Sequence, residues 1–392
     1  MKNFVLIFFL LIIFLPISYS IDLTQCQNIT SSGTYVLAND VSASGTCFNI
    51  TADLVELDCN EKRIDYAQAA SGYGIYVDRR NNVTVKNCRI FDGNYDYSYG
   101  IYLNRANYTR IEGNNVSTGG DNADGVYAYY SINNILVGNN VSTGGNYAYG
   151  VYLYLSSNNS LISTLIKTIQ KSSYGIYIYS NSFDIALINT TINTSSNDIR
   201  FRRNSSMQII NTSFNKSSVF WEPTAANAWI NVSYYVDVLV ESNLGYVDSA
   251  QVNITNYTNS LVFSGYTSSN GYITTQILPE FFANGTYSYS CPSSQANLTC
   301  ASPYNFSASK GNSFNSTVEA INQSKTVEII LYFEYYYITI VGNPTNWSWV
   351  SIQLGKYVRS GNPTNWSWRQ LEINSGRYVP KGNPTNWSWE SE

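Results

Sequence analysis

The sequence predicts an all-β chain: a right-handed parallel β-helix, then an Ig-like β-sandwich, then a short Trp-rich repeat tail. Three observations carry this. A Gly-(Ile/Val)-Tyr segment recurs at Gly74, Gly100, Gly125, Gly150 and Gly175, at spacings of 26, 25, 25 and 25 residues. Short runs of alternating apolar residues, separated by turn signals, continue from Trp229 to about residue 334. The segment Gly-Asn-Pro-Thr-Asn-Trp-Ser-Trp then appears three times, starting at Gly342, Gly361 and Gly382.

A unit of 25 residues cannot bury its own apolar face, so successive copies must stack and share one core. In Gly74-Ile75-Tyr76-Val77 the apolar residues alternate, as they do at Ile101/Leu103, Val151/Leu153 and Ile176/Ile178. That period belongs to a strand. A second strand follows each turn, at Val83/Val85, Ile111, Leu136, Leu161 and Ile185/Leu187. Between them lie Asn, Ser, Gly and Asp clusters, including Gly-Asn-Asn-Val-Ser-Thr-Gly-Gly at both 113–120 and 138–145. Stacking places Ile75, Ile101, Val126, Val151 and Ile176 in one inward column. It also places a corner column at Asn114, Asn139 and Asn189, with Thr164, whose amides hydrogen-bond from rung to rung. A weaker rung at Asp198–Asn211 closes the series, and the β-helix is expected over 21–218.

Residues 1–20 carry the marks of a signal peptide: Lys2, an apolar run from Phe4 to Leu15, and Ser18-Tyr19-Ser20 as a cleavage site. No second apolar run is long enough to span a membrane. There are 23 Asn-x-Ser/Thr sequons, more than twice the number composition yields by chance. They include Asn28, Asn82, Asn115, Asn140, Asn253, Asn284, Asn297, Asn315, Asn346, Asn365 and Asn386. Six cysteines in an exported chain indicate disulfides. Cys88 falls in the Asn114 column and Cys59 about one rung earlier, within disulfide reach. Cys291 and Cys300 flank a short polar loop, which leaves Cys26 and Cys47 to pair across the N-terminal cap.

Within 229–334, strand runs are expected at Val232–Val240, Ala250–Asn256, Tyr272–Leu278 and Thr326–Leu331, a spacing that indicates a β-sandwich. In the tail, 335–392, each repeat places a sequon beside Trp-x-Trp, as short hairpins or a linear repeat. Leu57-Asp58-Cys59-Asn60, Gly74-Ile75-Tyr76-Val77 and Asn82-Val83-Thr84-Val85-Lys86-Asn87-Cys88 resemble the NosD-type β-helix repeats of archaeal and bacterial surface proteins. Asp248-Ser249-Ala250-Gln251-Val252-Asn253-Ile254, Ser269-Asn270-Gly271-Tyr272-Ile273 and Pro303-Tyr304-Asn305-Phe306 are similar to carboxypeptidase-regulatory-like domains, a non-catalytic Ig-like module. Both resemblances imply a cell-surface chain. The copper-maturation role of NosD proteins does not carry over, because soft-metal ligation needs His, Met and Cys, and this chain has no His and two Met.

Tyr76, Tyr102, Tyr127, Tyr152 and Tyr177 occupy the outward position of one strand column, and Tyr129, Tyr154 and Tyr179 a second. An exposed aromatic face points to a partner. The expectation is a secreted or cell-surface glycoprotein, structural, adhesive or polysaccharide-binding and without a catalytic residue. Its partners would be cell-surface polysaccharide, neighbouring surface proteins or further copies of itself. The alternative is a lyase, hydrolase or epimerase of an acidic polysaccharide. It would draw on Asp92, Asp96, Asp121 and Asp124, since glycosidic chemistry needs two nearby carboxylates. Asp92-Gly93-Asn94-Tyr95-Asp96 resembles part of a calcium loop but lacks its distal Glu, so no metal or cofactor is expected beyond an occasional Ca2+. A net charge of −4 with no basic patch disfavours nucleic acid.

Overall fold

The computed structural model describes residues 20–225, 227–291 and 293–333, together with the backbone of five tail strands. The expected signal peptide and Asn346, Asn365 and Asn386 lie outside the described residues. The described chain divides into two compact units. The first comprises the residues up to 235 together with 277–302 and 322–324. Among the described residues no helix is long and apolar enough to cross a membrane.

The first unit is a parallel β-solenoid. A first sheet stacks Thr84–Lys86, Arg110–Glu112, Ile135–Val137 and Ser160–Ile162 with their counterparts in earlier and later rungs. A nine-stranded second sheet includes Ile75–Asp78, Ile101–Asn104, Val126–Tyr129, Val151–Tyr154 and Ile176–Tyr179. A seven-stranded third sheet includes Arg89–Asp92, Asn115–Thr118, Asn140–Thr143 and Leu165–Thr168. Neighbours in these stacks are parallel, with one register shift between Ser182 and Ile185 in the first sheet, and in the second sheet Ile75, Ile101, Val126, Val151, Ile176 and Ile199 form one inward column. Each is buried. Burying a branched apolar side chain stabilises by about 1.5–3 kcal/mol, so the column is a principal part of the core.

The repeated glycines are required by close approach. A Cβ on Gly125 would lie 2.2 Å from Val141 Cγ1 and 2.7 Å from the Gly150 carbonyl oxygen. The second sheet therefore turns directly against the third at this position. The stack runs past residue 218: Val219–Trp221 pairs with Ile199–Phe201, and residues 229–233 pair with 206–210. Gln276–Ala283 and Leu298–Cys300 then add an antiparallel pair to the same unit.

The corners are built from polar ladders. Asn114 Oδ1 accepts from the Cys88 N–H, and Asn139 Oδ1 from the Asn114 N–H, at 2.9 and 3.0 Å. The expected column needs one correction, because Asn189 does not belong to it. The position after Thr164 is Thr190, whose hydroxyl donates to the Leu161 carbonyl, and the next is Thr212. Asn189 stands one residue earlier, in the left-handed conformation shared by Asn87, Gly113, Gly138, Ser163 and Asn211. Asn is suited to both positions, since it hydrogen-bonds locally and tolerates positive φ. A serine ladder of the same kind runs through Ser131, Ser156, Ser182 and Ser205.

Three disulfides form: Cys26–Cys47, Cys59–Cys88 and Cys291–Cys300. Cys59 and Cys88 are 4.7 Å apart at Cα, the separation of stacked rungs.

In the second unit, residues 236–242 pair in parallel with Lys325–Leu331. A four-stranded antiparallel sheet runs Leu261–Tyr266, Gln251–Thr255, Tyr304–Lys310, Ser313–Glu319. Val252, Ile254, Phe306, Ala308, Val238, Val240, Ile329 and Leu331 are buried in this unit. The expected strand at Tyr272–Leu278 instead occupies Gln276–Ala283, with Tyr272 making one isolated bridge to Leu239. The described tail strands pair in parallel and not as hairpins. Ile338–Val341 pairs with Tyr357–Ser360, and Trp347–Val350, Trp366–Gln370 and Trp387–Ser391 follow in register.

Candidate functional site: a tyrosine face on the second sheet

Side chains alternate across a strand, so the residue after each inward Ile or Val points away from the core. Register then aligns Tyr76, Tyr102, Tyr127, Tyr152 and Tyr177, and beside them Tyr129, Tyr154 and Tyr179. Consecutive rings of the first column lie 5.1, 5.1, 4.6 and 5.0 Å apart, with interplanar angles between 8° and 16°. They are stacked face to face along the rung axis.

A third column lies in the residue preceding each glycine, and the sequence reading missed it. Tyr73 stacks on Tyr99 at 5.6 Å, and Tyr149 on Tyr174 at 5.3 Å. These rings also pack edge-on against the main column, as Tyr99 does on Tyr127 and Tyr149 on Tyr177. The signal was present as Tyr-Gly-(Ile/Val)-Tyr, with a tyrosine on both sides of the repeated motif. This packing changes the expected exposure. Tyr76, Tyr102, Tyr127, Tyr152, Tyr129, Tyr154 and Tyr179 are half-buried, and Tyr177 is buried. Burial raises the phenol pKa of Tyr102, Tyr127 and Tyr152, so these hydroxyls stay protonated.

Both ends of the main column are closed within the chain. At one end the Tyr76 hydroxyl accepts from Asn104 Nδ2 at 3.0 Å, and Asn104 also donates to Asp78. At the other, Arg200 follows Tyr177 in register and sits over Tyr174 and Tyr177. Arg202 sits over Tyr179, and both guanidiniums pair with Glu222.

The third column skips one rung, where Asp124 stands in the position of a tyrosine. It is 3% exposed and accepts the Tyr149 N–H at 2.7 Å. Burial drives its carboxyl well above the ordinary range, against the pull of that hydrogen bond. The other acids considered from sequence are corner braces. Asp92 accepts from the Gly119 and Gly120 N–H groups, Asp96 from Asp121, and Asp121 from Asn146. Each carboxylate reaches to the next rung, so they form a series and not a facing pair. Among the described residues no three His, Cys, Asp or Glu side chains are grouped to hold a metal ion.

The sequons fall elsewhere. Asn28 and Asn49 lie on the two earliest strands of the second sheet, and none lies on its five tyrosine strands. Asn28, Asn82, Asn140, Asn284 and Asn297 are exposed, and Asn115, Asn253 and Asn315 are half-buried.

Residues 21–192, just under half of the chain, match the family model for a right handed beta helix region. No curated protein matches the chain. Among solved structures it is similar to the pectate lyase Pel9A, at 13% identity over 51% of this chain and 67% of that one, TM-score 0.30. It is also similar to tailspike protein 2 of the Escherichia coli O157:H7 bacteriophage CAB120, at 11% identity over 78% and 63%, TM-score 0.31. A third likeness is to the A-module of the Azotobacter vinelandii mannuronan C-5 epimerase AlgE4, at 13% identity over 53% and 74%, TM-score 0.25. The chain spans about two thirds of the length of the first two, and likenesses at these scores carry no argument about activity. With the rungs in register and the family match over the same residues, residues 21–192 form a right-handed parallel β-helix.

Proposed function

We propose that this is an exported, N-glycosylated surface protein that binds polysaccharide without turning it over, and that the tyrosine face makes the contact. The carrying observation is that five tyrosine strands in succession hold no sequon, while the connections that leave them and the third sheet do. Asn82, Asn107 and Asn158 lie in the connections that leave this sheet, and Asn115, Asn140 and Asn193 lie on the third sheet. Glycans at those positions would clothe the neighbouring surfaces and leave the tyrosines open. Three disulfides agree with an oxidising compartment. The expected signal peptide supplies the route.

The test replaces Tyr102, Tyr127 and Tyr152 by Ser and measures retention of the full chain on polysaccharide by co-sedimentation. The three rings lie outside the apolar core but are half-buried in the stack, so the variant should melt lower and still keep its β-sheet circular dichroism, which is recorded alongside. Retention should fall to background. Unchanged retention removes the proposal.

One observation favours a second reading, an enzyme of acidic polysaccharides. Asp124 is a buried carboxyl with a raised pKa set among tyrosines, and such perturbed acids are typical of catalytic sites. If Asp124→Asn abolishes turnover of a polyuronate while the triple Ser variant still binds, that reading replaces the first.

A further inference from the structure

The way the rings stack decides what the tyrosine face can recognise. Sugars bound by aromatic side chains ordinarily lie flat on a ring face. Here Tyr102 is stacked between Tyr76 and Tyr127, Tyr127 between Tyr102 and Tyr152, and Tyr152 between Tyr127 and Tyr177. Both faces of each central ring are already occupied. What remains outward is the ring edge and its hydroxyl.

Those hydroxyls differ along the column. Tyr76 and Tyr177 are engaged inside the chain, by Asn104 at one end and by Glu222 and Arg202 at the other. Among the described residues, the hydroxyls of Tyr102, Tyr127 and Tyr152 make no hydrogen bond to protein. These three hydroxyls are not buried, so water reaches them. The face therefore offers donor-acceptor groups in a row, repeating at the ring spacing of about 5 Å, the spacing of the rungs. A partner must supply hydroxyls at a matching interval along one line. An extended polysaccharide lying along the rung axis does so, because one sugar advances by about one rung.

Charge narrows the class. Arg200 and Arg202 share the single carboxylate of Glu222, and the exposed Arg203 adjoins them, which leaves positive charge in excess at that end of the column. The Arg202 side chain is 48% exposed. At the other end Asp78 lies 3.9 Å from the exposed Arg79, and its carboxylate still adds to burial in raising the phenol pKa of Tyr76 and Tyr102, so the positive excess is confined to the Arg202 end.

We infer that the face reads an extended acidic polysaccharide by hydroxyl rows, with Tyr102, Tyr127 and Tyr152 pairing to sugar hydroxyls and Arg202 taking a carboxylate. This rests on the binding role proposed above and adds the mode and the ligand class.

The test compares four full-length proteins for retention on insoluble polygalacturonate and on insoluble cellulose: wild type, Y102F/Y127F/Y152F, Y102S/Y127S/Y152S and Arg202→Gln. The Phe variant keeps the stacked rings and removes only the hydroxyls. Y102F alone is carried alongside, so that a folding defect in the triple variant does not decide the result. The inference expects retention on polygalacturonate above cellulose. It also expects a loss of about tenfold or more for the Phe triple variant, comparable to the Ser triple variant, and several-fold for Arg202→Gln. Phe variants that bind like wild type while the Ser variant does not would overturn the hydroxyl reading and leave the binding role standing. Preference for cellulose, or indifference to Arg202→Gln, would overturn the acidic class. Normal binding by the Ser variant would remove both this inference and the binding role. Self-association lost in the Phe variant, with no retention on either polymer, would assign the face to a second copy of the chain and overturn the inference.

Discussion

Asn139 shows how single side chains hold the rungs in register. Its Oδ1 accepts from the Asn114 N–H at 3.0 Å and from Asn114 Nδ2 at 3.1 Å, and its Nδ2 donates to the Ile111 carbonyl at 2.8 Å. All of this is buried, so Asn139→Ala strands polar groups on two rungs. At about 1–3 kcal/mol for each buried group left without a partner, the variant should lose roughly 2–5 kcal/mol. Asn139→Thr should lose less, because Thr164 in the next rung serves the ladder through its hydroxyl to the Leu136 carbonyl. Thermal unfolding should rank wild type above Thr above Ala. Equal melting temperatures for wild type and Ala would mean the ladder adds nothing to stability. The period revealed this column because amide-bearing residues recur at 114 and 139. Its exact position after Thr164 was not legible. Asn189-Thr190 offers two residues that fit a corner, and only the backbone conformation shows that the left-handed site takes Asn and the ladder takes Thr.

Among the elements, the tyrosine strands could be read from sequence because each carries two alternating apolar residues, and the first sheet because an apolar residue recurs after each turn at Val85, Ile111, Leu136, Leu161 and Leu187. The third sheet could not. Asn115–Thr118 and Asn140–Thr143 each bury one valine, Val116 or Val141, inside a run of Asn, Ser, Thr and Gly that reads as turn. Their strand state comes from stacking, since each copy pairs in register with its neighbours. Tertiary context overrides local composition there. The glycines before the tyrosine strands were legible as a period but not as a cause. Their reason is the 2.2 Å that would separate a Gly125 Cβ from Val141, a contact between two sheets whose second partner the sequence hid. The tyrosine face was half legible. The outward columns follow from the period, whereas the stacking that takes their ring faces, and the third column at Tyr73, Tyr99, Tyr149 and Tyr174, needed coordinates.

At the scale of the molecule, buried acids set the pH response. Burial raises the carboxyl pKa of Asp92, Asp124 and Asp198. The native chain therefore holds those protons more tightly than the unfolded chain does. Their contribution to stability is greatest below the ordinary carboxylate range. It declines as pH rises through that range to the raised native values, and it is level beyond them. Two carboxyls oppose this. Glu112 is lowered by Arg110, and at Asp58 burial is outweighed by hydrogen bonds from Asn60 and Asn87 together with the charge of Lys86. Glu112 is exposed enough to be screened and Asp58 is only half-buried, whereas Asp124 is buried, so the buried group should dominate. The melting temperature should fall between mildly acidic and neutral pH, and Asp124→Asn should flatten that slope. A melting temperature that rises over the same interval would contradict the assignment.

The central claim is that the tyrosine face, and not an acidic corner, is where this chain meets its partner. A crystal structure of the full chain with a polygalacturonate oligosaccharide tests it most directly. The account predicts sugar density along the rung axis, with hydroxyls within hydrogen-bond distance of Tyr102, Tyr127 and Tyr152 and a carboxylate at Arg202. Sugar bound at the Asp92–Asp121 corners, with the tyrosine hydroxyls bare, would contradict it.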